Sequence, residues 1–209
     1  MVAACFFDQT VLESAIVHKS LGGSAVNSWR QKRSVMRRYN LTAAMYDARY
    51  CEEQEAKYKA ALAGLHVKGN AVLDVGCGSG LFFGHVGDNA KLVAGVDISR
   101  RLLQLAKERA KKYSDVYLVQ ADADNLPFRL GVFSYVFAFT LLQNMPNPPR
   151  TLGEFKLVAK LDSIIVVTGL KAAVSLEVFG GYLEDAGLRV VSLREEDALR
   201  CYVVVCIQR

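Results

Sequence analysis

The chain reads as an α/β protein built on a mostly parallel sheet, with helices on both faces and an antiparallel hairpin at its C-terminal end. Three observations predict this. Short apolar runs alternate with helix-patterned segments, the signature of parallel strands joined by crossover helices. The runs are apolar on both faces, as buried parallel strands are. The last two runs, beginning at Arg189 and Arg200, have no helical segment between them and so pair back on each other.

The elements follow in order. Residues up to about 28 are mildly apolar, carry few charges and end in Gly22-Gly23-Ser24. They read as a loosely docked extension, and Met36 is an alternative start. The division expected is an extension over 1–38, basic near its end, and a domain over 39–209. Leu41 to Leu62 is rich in Ala, Glu, Gln and Lys and reads as a helix that places Tyr46 and Tyr50 on one face. Ala71 to Val75 is the first strand, with a helix expected from about Leu81. Residues 91–97 form a second strand. Ser99 then caps a helix to about Lys112 that buries Leu102, Leu103, Ala106 and Ala110. Strands over 116–120 and 133–139 follow. Pro148 and Pro149 start a helix over 150–160, and a strand over 163–168 comes next. The helix over 175–186 stops at Gly187.

Composition bounds the function. With 209 residues, 52% hydrophobic and 22% charged, the chain fits one soluble domain plus an extension. Its apolar runs are strand-length, too short to cross a bilayer. Met1 to Phe7 lacks the basic start of a secretion signal, so a cytoplasmic location without membrane attachment is expected. Five cysteines form no C-x-x-C pair and histidine is scarce, so no metal site is expected. Cys201 and Cys206 should point to opposite faces of one strand.

The net charge of +5 is unevenly spread. Arg30, Lys32, Arg33, Arg37 and Arg38 lie together without an acid. A second set runs from Arg100 to Lys112 with only Glu108 against it. Each set either tracks phosphates or forms a solvated face.

The chemistry concentrates after the first strand. Gly76, Gly78 and Gly80 stand at alternate positions, where a sharp turn and a close ligand need residues without Cβ. Asp74 precedes them. A carboxylate there repels a phosphate and welcomes a cationic amine. A second carboxylate, Asp97, ends the second strand 17 residues after Gly80. The glycines run G-x-G-x-G rather than G-x-G-x-x-G, which argues against a dinucleotide.

The series Asp74-x-Gly76-x-Gly78-x-Gly80, then Asp97, then Asp122-Ala123 ahead of Leu126-Pro127-Phe128 resembles the ordered motifs of the class I S-adenosylmethionine (SAM) methyltransferases, type 11 branch. The resemblance covers about residues 39–209. It implies a Rossmann-like seven-stranded sheet and SAM as cofactor. Asp74 would face the methionine ammonium. The turn from Gly76 through Cys77 and Gly78 to Gly80 would pass under the methionine and ribose. Asp97 would accept the ribose hydroxyls and Ile98 would pack on adenine. Asp122 and the Ala123 N–H would read the adenine edge, with Phe139 at the fourth strand's end. Tyr46 would belong to a helix lying over the cofactor, or would simply pack that helix. Cys77 is expected as a small packed thiol.

Substrate-side candidates are Gln143 and Asn144, which otherwise form a polar loop. Asn147-Pro148-Pro149 comes eight residues after Phe139, too late for the amino-group motif it resembles, and reads as a helix-start turn. The layout is similar to the rRNA guanine-N7 and tRNA-wobble methyltransferases, some of which need a small activator subunit. With the basic segment 30–38, it gives RNA as the expected acceptor. A small molecule is the alternative, followed by a protein side chain or a non-catalytic SAM-binding scaffold.

Overall fold

The computed structural model describes residues 23–196 and 199–208. The element order is α1 (Gly23–Leu62), β1 (Ala71–Val75), α2 (Phe83–Val86), β2 (Leu92–Asp97), α3 (Arg100–Ala110), β3 (Val116–Gln120), β4 (Phe133–Ala138), a 3₁₀ turn (Leu142–Asn144), α4 (Pro148–Val158), β5 (Ala159–Leu170), α5 (Leu176–Asp185), β6 (Leu188–Arg194) and β7 (Cys201–Gln208). The seven strands form one sheet in the order β3-β2-β1-β4-β5-β7-β6. The first five pair in parallel, and β7 pairs antiparallel to both β5 and β6. The order reverses beside β1, between β2 and β4, and that is where a parallel sheet opens a crevice for a ligand.

The strands are buried because each presents apolar residues to both layers. In β1, Leu73 and Val75 join the core with α4 and α5, while Val72 joins the core with α2, α3 and the end of α1. Asp74 shares the Val72 face, and this period of two sets its direction.

Two helices depart from expectation. The helix after the glycine turn is only four residues, Phe83–Val86. Gly87 follows it, tight against Tyr113: a Cβ there would lie 2.6 Å from Tyr113 Cδ1 and 2.8 Å from the Phe83 carbonyl. The helix expected from Leu41 instead begins at Gly23 and runs 40 residues, about 60 Å at the usual rise. It crosses residue 38 without a break.

β5 starts at Ala159, four residues ahead of the expected 163, directly after the helix that ends at Val158, and runs on to Leu170; the remaining boundaries fall within about two residues of expectation. Ser99 caps α3, its side chain accepting from the Leu102 N–H. Asn147 caps α4 by accepting from Arg150, with proline in the first turn, as a helix-start turn requires. Gly187 takes φ +66° after α5. Cys77, Cys201 and Cys206 are free and buried.

Candidate active site

The glycine turn is bolted to β2. The N–H groups of Gly76 and Cys77 both donate to the Val96 carbonyl, at 2.7 and 2.9 Å. Gly76, Gly78 and Gly80 all have positive φ. The next loop locks Asp97: one carboxylate oxygen accepts from Gly78 N at 3.0 Å, the other from Ser99 N at 2.7 Å. Each oxygen keeps a second lone pair for a ligand hydroxyl. Burial pushes the Asp97 carboxyl up to about 6, against those backbone donors.

A cavity of about 70 Å³, open on one side to solvent, lies here. Gly76, Gly78, Asp97, Ile98, Asp122 and Ala123 line it, with Phe139 at its far wall. α1 closes it from above through Lys32, Val35 and Tyr39. Asn40 ties the helix down by accepting from Ser99 Oγ at 2.7 Å and from the Arg101 N–H at 3.2 Å.

A smaller gap of about 10 Å³ adjoins it, sharing Gly76 and Phe139. Asp74, Gln54, Tyr58 and Cys77 line this gap. Asp74 is 2% exposed, and its Oδ2 has no hydrogen-bond partner among the described residues; Gln54 Oε1 is likewise unpartnered. Burial and then the nearby Asp97 charge push the Asp74 carboxyl up to about 8. A buried carboxylate without a partner is costly unless a cation completes it. Burial also raises the Cys77 thiol well above its ordinary range, so it packs as a thiol rather than serving as a nucleophile.

These residues fit SAM: a carboxylate awaiting a cation at one end of the glycine turn, a buried carboxylate with spare acceptor capacity at the middle, and an apolar slot by Ile98 and Leu102. One expected residue stands elsewhere. Gly80 lines neither cavity; it lets the chain pass under the Phe83 ring, where a Cβ would lie 2.7 Å from Cδ2. The side chain of Tyr46 lies outside the described residues.

Residues 73–167 match the family model of a methyltransferase domain.

Relatives point the same way. The demethylmenaquinone methyltransferase of Staphylococcus saprophyticus is 34% identical over 123 residues, 55% of this chain and 51% of that protein. The demethylmenaquinone methyltransferase of Bacillus licheniformis is 33% identical over 96 residues, 44% of this chain and 41% of its own length. The chain thus spans about half the length of the curated relatives it matches. Among solved structures, a SAM-dependent methyltransferase from Aquifex aeolicus superposes with TM-score 0.66 at 22% identity, over 72% of this chain and 88% of that one. A Haloferax volcanii methyltransferase in complex with the Trm112 activator gives TM-score 0.70 at 18% identity, over 82% and 96%. The SAM-bound magnesium protoporphyrin IX methyltransferase of Synechocystis gives 0.69 at 16%, over 86% and 97%. The fold is the one these methyltransferases share.

The substrate-side candidates sit where the cofactor cavity meets a wider cleft. Asn144 lines both, and Gln143 lines the cleft. Both amides donate to the Thr140 carbonyl, Gln143 at 2.8 Å and Asn144 at 3.3 Å.

Four residues carry weight that the sequence did not disclose. Lys32 is 6% exposed and donates to Asp122 and Asp124. Gln54 faces the Asp74 gap. Lys57 is 1% exposed and donates to Thr140 Oγ1 at 2.8 Å. Thr140 is the non-glycine residue with positive φ, +55°, among the described residues. A lysine in a helix reads as a solvated face, so only the fold reveals that these two point inward.

Among the described residues no group of acids, cysteines and histidines could hold a metal, and no helix is long and apolar enough to cross a membrane.

Proposed function

We propose that this protein is a SAM-dependent methyltransferase acting on a small organic acceptor. The observation that carries the reading is the buried, unpartnered Asp74 oxygen beside the glycine turn, an acceptor that an ammonium group would complete. When bound, the cofactor supplies an electrophilic methyl group. The chain's own residues bind, align and exclude water. Asp74 and Gln54 would hold the methionine end, Asp97 the ribose, and Ile98 and Ala123 the adenine, while both Asp122 oxygens are engaged by Lys32.

The acceptor is read as small for two reasons. α1 covers the cofactor cavity through Lys32, Val35 and Tyr39, and the cavity meets a wider cleft at Tyr39, Thr140 and Asn144. The relatives' name describes methylation of a quinone. RNA, expected from the basic segment 30–38, gains no such support. One of its five cations is used inside the molecule: Lys32 is buried against Asp122 and Asp124.

The test is calorimetry of SAM binding to the wild type and to Asp97→Ala, followed by labelled-methyl transfer to a small-molecule extract and to total RNA. Binding that is lost in the variant, with label in the organic fraction, supports the reading. Label confined to RNA would replace the acceptor assignment, and binding unchanged by Asp97→Ala would overturn the cofactor assignment.

A further inference from the structure

Among the described residues, the cleft beside the cofactor cavity carries more positive than negative side chains. The two join at Tyr39, Thr140 and Asn144. At the joint, the buried Lys57 donates to Thr140 Oγ1 at 2.8 Å and to Glu53 Oε1 at 3.1 Å. Arg200, 79% exposed at the rim, lies 3.7 Å from the other oxygen of Glu53. One carboxylate therefore serves two cations. Two further cations line the cleft without a carboxylate partner among the described residues. Lys171 donates to the carbonyls of Glu195 and Glu196, at 2.9 and 3.1 Å. Arg38 bonds the neutral amide of Asn144 and lies 5.3 Å above the Tyr39 ring. Between the cations the wall is apolar, formed by Leu170, Ala172, Ala173 and Met45.

Resting on the methyltransferase reading, we propose that this cleft is the acceptor site and that the acceptor is a small apolar molecule bearing a carboxylate-type anion. The excess of cations compensates the desolvation of one negative group, which a neutral site could not do. The apolar wall takes up the body of the molecule. Lys57 is buried but already paired with Glu53, so the preference for an anion rests on the cations nearer the rim. Arg38, Lys171 and Arg200 then steer the anion in and fix its orientation.

The probes are naphthoate and its neutral amide, which share one apolar body. Each is titrated by calorimetry into the protein saturated with S-adenosylhomocysteine, using the wild type and the Lys171→Gln/Arg200→Gln double variant. Both substitutions are near the rim, and a thermal melt checks that the variant is folded. In the wild type, naphthoate should bind about tenfold tighter than the amide. The double variant should lose about tenfold for naphthoate and less than about twofold for the amide. Equal affinities, a preference that survives the double substitution, or no binding of either probe would overturn the assignment. So would a single-stranded RNA oligonucleotide that binds through the same cations while naphthoate does not. Failure of S-adenosylhomocysteine itself to bind would overturn the methyltransferase reading and the acceptor site with it, a result distinct from the loss of naphthoate alone.

Discussion

The ammonium group of Lys32, on α1, lies 2.9 and 2.7 Å from the two oxygens of Asp122, in the loop after β3. It also reaches Asp124 Oδ2 at 2.5 Å, and Asp124 in turn accepts from Thr151 Oγ1. One cation thus joins the roof helix to the adenine end of the cavity. Removing it leaves Asp124, 2% exposed, as an unpaired buried charge. Breaking a buried pair from one side costs about 3–5 kcal/mol. Lys32→Met should therefore lower the melting temperature by about 6–15 °C and speed tryptic cleavage in the first half of α1. A melt and cleavage pattern like those of the wild type would show that the roof is not held this way in solution.

Asp74 predicts a pH dependence of opposite sign for fold and ligand. Its carboxyl is raised from 3.8 to about 8 in the folded chain, by burial and then by Asp97. The proton bound only in the folded state stabilises the apoprotein fully below 3.8, and this contribution is lost as pH rises through about 8. A cationic ligand needs the carboxylate instead. SAM affinity should therefore climb by up to about tenfold per pH unit between about pH 6 and 8. Asp74→Asn should remove that slope, weaken binding, and make the apoprotein more stable than the wild type above pH 8. Calorimetry and melts across this range check both signs; a flat affinity profile in the wild type would refute the role of Asp74.

The sheet was legible because its strands are short apolar runs, each closed by a turn residue, and because Ser99, Pro148 and Gly187 punctuate the helices. The three carboxylates were legible for the same reason, since each stands at or just past the end of such a run. The roof was not. Lys32 and its partners are 90 and 92 residues apart in sequence, and no local spacing encodes that distance. The polar composition of α1 gave no face to read, so Gln54 and Lys57 looked like solvated side chains.

Glycines in the same backbone region should differ in cost. Gly80 and Gly131 both have positive φ, +80° and +66°. A Cβ at Gly80 would meet the Phe83 ring at 2.7 Å and Ala106 Cα at 3.2 Å, whereas nothing lies within 4 Å of one at Gly131. Gly131→Ala carries only the left-handed penalty, about 1–2 kcal/mol. Gly80→Ala adds overpacking and should cost about 3–4 kcal/mol. Urea denaturation of the two variants measures the difference. Equal losses would mean that the Phe83 ring moves aside without cost.

Thr140 sets backbone strain against a hydrogen bond, and the two can be separated. A β-branched residue at φ +55° is strained by about 1–2 kcal/mol, which glycine would relieve. Yet its hydroxyl accepts from the buried Lys57 at 2.8 Å, and a bond to a charged group contributes about 1.5–3 kcal/mol. The bond outweighs the strain, so Thr140→Gly should destabilise the wild type by about 1 kcal/mol. With Lys57→Met the ammonium is gone and only the strain remains. In that background the same Thr140→Gly should be neutral or stabilise by about 1 kcal/mol. The change of sign between backgrounds is the observable, read from a double-mutant cycle in urea. Two equal effects would show that Thr140 is held in its left-handed conformation by the Thr168 hydroxyl at its N–H and the Gln143 and Asn144 amides at its carbonyl, with no energetic part for Lys57.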